Sequence, residues 1–224
     1  MTLSSPKAEP PTKASVPSVS DSDSVTNDFL SIANPADVPE LAAIARAELP
    51  SMTALHDEQG WQTYNRFGAG SQLWGNCTLI LRHGGEDGPA SGFIWADSAM
   101  HTDSGIEEPW WCINAVAIAP HCRGAGRGTA LVSRVTSAAR TAGVQLLYGQ
   151  SVPAAVPFWK KLGFILAGEA EPIRTHSPAR RTVGGPVMLT AEPGAGDRWF
   201  VKYLATAPGS VSSGLLPVSM LPPL

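Results

Sequence analysis

The chain has 224 residues, 43% of them hydrophobic and 16% charged, with a formal net charge of −3. That length suits one domain with tails and allows a real core, and so weak a negative charge gives nucleic acid no electrostatic hold. Three cysteines, Cys77, Cys112 and Cys122, cannot all pair within one chain and lack zinc-ligand spacing, so reduced thiols in a cytoplasm are the simplest expectation.

Residues 1–27 are almost wholly Ser, Pro, Thr, Ala, Val, Lys and Asp. They are too poor in apolar side chains to offset ordering entropy and read as a disordered tail. They hold no apolar signal-peptide core, and no run in the chain reaches the ~18 apolar residues of a membrane helix, so no membrane partner is expected. The folded region then spans 28–206. Phe29–Ala33 reads as a strand. Asn34-Pro-Ala-Asp37 gives a turn and a cap for a helix over Val38–Leu49, with Val38, Leu41, Ile44 and Ala45 on one face. Residues 54–67 carry a weaker helical pattern. Cys77–Arg82 and Ala90–Asp97 are β runs joined by Gly84-Gly-Glu-Asp-Gly88, hence a hairpin. Trp110–Ala119 is apolar on both faces, as a central strand is, and Pro120 closes it. A glycine-rich turn leads into a helix over Gly126–Ala142, striped by Leu131, Val135, Ala138 and Ala142, and Gly143 sits where a left-handed C-cap belongs. Val144–Gly149 reads as a strand and Pro153–Leu162 as a helix. Phe164–Glu169 and Pro186–Thr190 read as strands, with residues 170–185 a loop between them. Asp197–Ala205 fits strand or helix, and from Ala207 the chain is again Pro-, Gly- and Ser-rich, a second tail over 207–224. This order predicts an α/β domain with a mixed sheet and helices on both faces.

The chemistry concentrates in Val116-Ala-Ile-Ala-Pro-His-Cys-Arg-Gly-Ala-Gly-Arg-Gly128. A strand runs into a tight turn and a helix begins there. Gly124, Gly126 and Gly128 let the backbone adopt positive φ and approach a ligand closely. The first helical turn offers unpaired N–H groups and the positive end of the helix dipole. Together they suit a pyrophosphate, and Arg123 and Arg127 add fixed positive charge. An ordinary turn with packing glycines has the same look. A phosphate loop with Gly-Lys-Ser/Thr is absent. The dinucleotide fingerprint needs Gly or Ala where Thr129 stands, and follows a first parallel strand rather than a hairpin.

The stretch resembles the acetyl-CoA signature of the GNAT superfamily of N-acetyltransferases, Gln/Arg-x-x-Gly-x-Gly/Ala, with Arg123, Gly126 and Gly128 in its fixed positions. A second block, Ala155-Val-Pro-Phe-Trp-Lys-Lys-Leu-Gly-Phe164, resembles the family's Ala-x-x-Phe-Tyr-x-Lys-x-Gly-Phe. The resemblance covers roughly 29–190. It implies a GNAT-like acyl-CoA N-acyltransferase fold with a splayed central sheet, and acetyl-CoA as donor cosubstrate. It also implies a cofactor site made by Val116, Ala117, Ile118, Arg123, Gly124, Ala125, Gly126, Arg127 and Gly128, with Ser151 and Phe158. Dimers are common among such enzymes, so a homodimer is the assembly it suggests. One departure stands out: the family's tyrosine, often a general acid beside the thiol, falls on Trp159. An indole cannot protonate a leaving thiolate, so another group, water or unassisted departure takes its place. Phe158 and Trp159 also read as plain packing.

The implied reaction is direct attack of a neutral amine on the thioester, with a backbone N–H of the central strand, at Ile118 or a neighbour, facing the oxyanion. By period two, Cys112, Asn114, Val116 and Ile118 share one face of that strand. Where relatives carry a glutamate on this strand, this chain has no acid, the position falling near Cys112. Asn114 and Glu108 are the candidate catalytic residues. Glu107 and Glu108 form a loop-like acidic patch with Asp97, Asp103 and His101, which reads either as a solvated loop or as a mouth where Glu108 relays a proton through water. Cys122 lacks the paired base an acyl-cysteine route needs. His121 reads as a surface residue beside the cofactor, and His56, His83 and His176 as surface residues without partners. The acceptor cleft would be walled by residues 50–75 and 170–185. Trp61, Tyr64, Phe67 and Trp74 either cover a substrate or pack in the core, and Arg174, Arg180 and Arg181 either hold a carboxylate or are simply exposed. A small-molecule amine is the default acceptor. A protein amine, or a CoA-binding module without turnover, is the alternative.

Overall fold

The computed structural model describes residues 27–63, 76–97, 110–182 and 185–204. Among the described residues, nine strands and four helices run in chain order: β1 (Asp28–Ile32), α1 (Val38–Glu48), α2 (Glu58–Thr63), β2 (Asn76–His83), β3 (Ala90–Asp97), β4 (Trp110–Ile118), α3 (Arg127–Thr141), β5 (Leu146–Ser151), α4 (Val156–Lys161), β6 (Ile165–Leu166), β7 (Ile173–Thr182), β8 (Gly185–Ala191) and β9 (Arg198–Tyr203). Seven of the strands form one open sheet in the order β1-β2-β3-β4-β5-β9-β6, and β7 and β8 form a separate antiparallel ribbon. β1 to β4 are a meander of antiparallel neighbours, whereas β4 and β5 pair in parallel through the crossover of α3.

The helices cover both faces, as the sequence predicts. On one face Leu41, Ala45, Leu55 and Trp61 pack on Ile80, Phe93, Ala115 and Ala117. On the other, Leu131, Val135 and Trp159 pack on Leu81, Ile94, Ile113, Leu147 and Phe200. The 3-10 turn Pro35–Asp37 that leads into α1 is fixed by polar chemistry. The Asn34 side chain accepts from the Ala36 N–H and Asp37 accepts from the Asn34 N–H, both at 2.8 Å, a reciprocal cap. Arg82 of β2 then bridges Asp37 at 2.5 Å and Glu40 at 3.2 Å.

Four expectations change. The helix expected over 54–67 is a single turn over Thr53–Leu55 followed by α2, and residues 64–75 lie outside the described residues. The 170–185 segment is not a loop, because β7 takes up most of it and pairs with β8. The strand expected over Phe164–Glu169 shrinks to β6, which has only β9 as partner. Asp197–Ala205 resolves as strand β9, which runs between β5 and β6 with Trp199, Phe200 and Val201 buried. The two tails fall outside the described residues, apart from Asn27.

The fifth change matters most for function. Along β4 the register with β3 slips between Trp95↔Ala115 and Ala96↔Ile113, so Asn114 is the extra residue of a β-bulge. The side-chain period of two is therefore broken. Trp111 and Ile113 share the α3 face with Val116 and Ile118. Cys112 belongs to the opposite face, as do Ala115 and Ala117. The shared face expected for Cys112, Asn114, Val116 and Ile118 does not exist.

Candidate functional site

β4 keeps β3 as a neighbour up to Ile118, but it pairs with β5 only from Trp110 to Ile113. Beyond that rung the two strands part, and residues 114–118 turn an unpaired strand edge toward the gap. Gly149 helps to close the last rung. A Cβ there would lie 2.5 Å from the Ile113 carbonyl oxygen and 2.5 Å from the Phe200 ring, so only glycine lets the three approach.

At the open end of this gap lies the glycine turn. Gly124 and Gly126 have φ of 85° and 76°, in the left-handed region that favours glycine, and a Cβ at either would have nothing within 4 Å. Gly126 caps α3 without any side-chain hydrogen bond. The N–H groups of Arg127, Gly128 and Thr129 therefore have no acceptor within the helix, and the dipole adds positive potential at the same point. At Gly128 a Cβ would meet Phe158 at 3.3 Å and Ile118 at 3.7 Å. Gly128, Ile118 and half-buried Phe158 thus meet where the turn joins the gap. An open, positive stretch of backbone continuing into a free strand edge fits a pyrophosphate followed by an extended amide-bearing arm.

The two arginines differ. The Arg123 side chain is 57% exposed. It pairs with Glu48 and donates from Nε to the Ile118 carbonyl at 3.3 Å. Arg127, expected to lend its charge to the anion, has a side chain only 7% exposed that turns into the domain. It donates to Asp28 at 2.9 Å and to the Cys122 carbonyl at 3.1 Å, and the Asp28 hydrogen bond keeps it protonated. The residue just after the left-handed Gly126 faces the start of β1, so only its N–H is left for a ligand. His83 is not partnerless either, since Nδ1 lies 3.0 Å from Asp28 and 2.9 Å from Arg127 Nη2. Ser151 is buried and its hydroxyl donates to the Val152 carbonyl at 2.9 Å, so its oxygen is left as an acceptor only. Trp159 is core. It stacks on Phe200 with centroids 4.0 Å apart and meets Phe158 and Phe164 edge-on. No proton donor stands at that position.

On the other face, one rung before the strands part, a polar row crosses the sheet. Asp97 of β3 pairs with Cys112 of β4, which pairs with Tyr148 of β5. Asn114 at the bulge donates from Nδ2 to Asp97 Oδ2 at 2.7 Å. Burial pushes the Cys112 thiol well above its ordinary value, with the Asp97 carboxylate adding and a hydrogen bond with Tyr148 opposing. Burial likewise raises Tyr148, helped by Cys112 and Asp97. Both stay protonated at neutral pH, so Cys112 is no nucleophile. Asp97 itself is 8% exposed, the last residue of a strand and not part of a solvated loop. Glu107, Glu108, His101 and Asp103 lie outside the described residues. Of the four candidate substrate aromatics, Trp61 is core, donating to the Leu55 carbonyl at 2.9 Å and edge-on to Phe93. Tyr64, Phe67 and Trp74 lie outside the described residues. An apolar cavity of about 90 Å³ sits under the C-terminal half of α3, walled by Ile32, Leu79, Trp111 and Val135 with Asp97 and Arg134 at its margin, at the far end of β4 from the glycine turn. The bulge has one trace in the sequence: Asn114 is the one amide in the otherwise apolar run Trp110–Ala119, a signal that the period-two reading passes over.

A mixed sheet that splays beside a glycine-capped helix is the acyl-CoA N-acyltransferase fold. The description "Acetyltransferase (GNAT) family" matches residues 41–164. The chain belongs to that family: it is an N-acetyltransferase, and acetyl-CoA is its donor. Solved structures share the fold. A phosphinothricin acetyltransferase of this superfamily from Sinorhizobium meliloti, in complex with AcCoA, is 17% identical and aligns over 88% of this chain and 100% of its own with a TM-score of 0.56. The ribosomal-protein-S18-alanine N-acetyltransferase from Escherichia coli is 15% identical over 83% of this chain and 99% of its own, with a TM-score of 0.52. A ribosomal-protein-alanine N-acetyltransferase from Brucella melitensis is 18% identical over 79% and 99%, also at 0.52.

Proposed function

We propose that the chain moves the acetyl group to a primary amine of a small molecule, by direct attack within a ternary complex. The observation that carries this reading is the free edge of β4, running from the glycine turn to the closed rung at Ile113 and Gly149. The N–H groups of Gly124 to Gly128 and the exposed charge of Arg123 hold the donor's pyrophosphate. The backbone of Val116, Ala117 and Ile118 holds its arm, flanked by Phe158. Bound acetyl-CoA supplies an activated thioester carbonyl, and a β4 backbone N–H steadies the charge that develops on its oxygen. Cys112, held as a thiol, offers no acyl-enzyme route.

A small acceptor is supported by depth. Asp97, Cys112 and Tyr148 are all under a tenth exposed, so the amine must project on a slender stem. A polypeptide N-terminus also meets that demand, and two of the fold neighbours are named for a protein alanine. Buried unpaired Cys112 and Cys122 support a reducing compartment such as the cytoplasm. Among the described residues no helix is long and apolar enough to cross a membrane.

The test is release of CoA thiol from acetyl-CoA with n-butylamine, benzylamine, amino acids and an Ala-starting peptide. Turnover confined to the small amines and amino acids supports the proposal. Turnover with the peptide alone replaces it with protein acetylation.

A further inference from the structure

Direct attack requires an ammonium to lose a proton before its lone pair can reach the thioester. A group that takes it must stand near the closed end of the gap, where an arm laid along β4 stops. On the face opposite α3, the titratable side chains that the described elements bring there are Asp97 from β3, Cys112 from β4, Tyr148 from β5 and Tyr203 from β9. Burial raises Cys112, Tyr148 and Tyr203, so these three hold their protons. That leaves a carboxylate, fixed by the Asn114 amide at 2.7 Å on the bulge that also sets where β4 and β5 part.

Resting on the acetyltransfer reading above, we propose that Asp97 is the catalytic base that receives the acceptor's ammonium and takes its proton, and that Asn114 is a positioning residue that aims it. The role expected of Glu108 from its place in the sequence then falls to the neighbouring strand. The step balances. One ammonium proton passes to the Asp97 carboxylate and on to solvent, the C–N bond forms, and the C–S bond breaks. The departing sulfur takes the second amine proton to leave as the thiol. The bulge explains how β3 can serve β4: an extra residue at Asn114 turns a polar side chain toward the end of β3, where a regular strand would present Asp97 only with the apolar alternation of its neighbours.

The experiment compares wild type, Asp97→Asn, Asp97→Glu, Asn114→Ala and Glu108→Gln. Each is assayed with the fastest panel amine that is protonated at pH 7 and with hydroxylamine, which is mostly neutral there, and each is melted with and without acetyl-CoA. Asp97→Asn keeps the shape and still accepts from Asn114. Its kcat/KM for the protonated amine should fall about 100-fold or more, with a much smaller fall on hydroxylamine and an undiminished stabilisation by acetyl-CoA. Asp97→Glu should recover most of the loss, Asn114→Ala should lower kcat about tenfold with KM for acetyl-CoA unchanged, and Glu108→Gln should lose far less than Asp97→Asn. No loss in Asp97→Asn, an equal loss on both amines, or a loss in Glu108→Gln alone overturns the proposal. If Asp97→Asn does not fold, the Glu variant decides, and one that folds but is inactive on both amines overturns it. Wild type that gains stability from acetyl-CoA yet acetylates nothing in the panel contradicts the small-molecule reading and takes this one with it.

Discussion

The two sides of the splayed sheet are built from different materials. The side we assign to the donor is backbone: left-handed glycines, the uncapped first turn of α3 and an unpaired stretch of β4. The side we assign to the acceptor is side chains, the row Asp97, Cys112 and Tyr148 with Asn114 beside it. Backbone groups cannot be lost to substitution one at a time, so a common donor can be held by a pattern of glycines. Side chains brought together by strand register can vary singly, and the acceptor is where such enzymes differ. The donor half should therefore be fragile to added bulk or charge, and the acceptor half to changes of single functional groups.

The largest expected effect probes Trp159, which the second sequence block sets at the family's acid position. As a buried ring stacked on Phe200, its change to Ala should cost about 3–5 kcal/mol, measured by denaturant unfolding. A cost below about 1 kcal/mol would mean that the ring is not core and would blur the contrast. Next comes Gly149→Ala, which puts a methyl against the Ile113 carbonyl and Phe200. Overpacking of this kind costs about 1–3 kcal/mol and should raise KM for acetyl-CoA, because the rung that ends the gap shifts. A similar loss of about 1–3 kcal/mol is expected for Asp28→Ala, which strands a mostly buried guanidinium. A chain trimmed to 27–206 keeps the hydrogen bond from the Gly84 N–H to the Asn27 carbonyl and should keep full stability, while one trimmed past Asp28 should show that loss. The smallest effect is Trp159→Tyr. If the position is structural, restoring a phenol there should change kcat by less than about threefold, whereas a large gain would restore the acid role to α4.

What the sequence made legible follows the same division. Glycines at 124, 126 and 128 announce backbone geometry directly, since positive φ and close approach are intrinsic to the residue. The glycine turn, the hairpin, β4 and α3 are all readable for that reason or from periodicity. The row Asp97, Cys112 and Tyr148 is not, because it depends on which residues three strands align, and pairing register is a long-range property. Asp97 has the look of the start of an acidic loop until its strand partner Cys112 is known. Arg127 has the look of a ligand cation because composition does not say which way the first residue of a helix faces. The fate of β9 is hidden similarly, because it pairs with β5, which lies far back in the chain, whereas β7 pairs with β8, the next strand along.

The central claim is that the glycine turn holds acetyl-CoA, and the direct measurement is the melting temperature of wild type and Gly126→Asp with and without the donor. Gly126 has open space around it, so Asp there adds little clash and about 1–2 kcal/mol of left-handed strain, but it sets a carboxylate where a pyrophosphate must lie. Acetyl-CoA at a hundred times Kd should stabilise wild type by about 2.7 kcal/mol, a rise of roughly 5–10 °C for a domain of this size, and should leave the variant unmoved. Equal rises in both proteins would contradict the account, since the donor would then be held somewhere other than the turn.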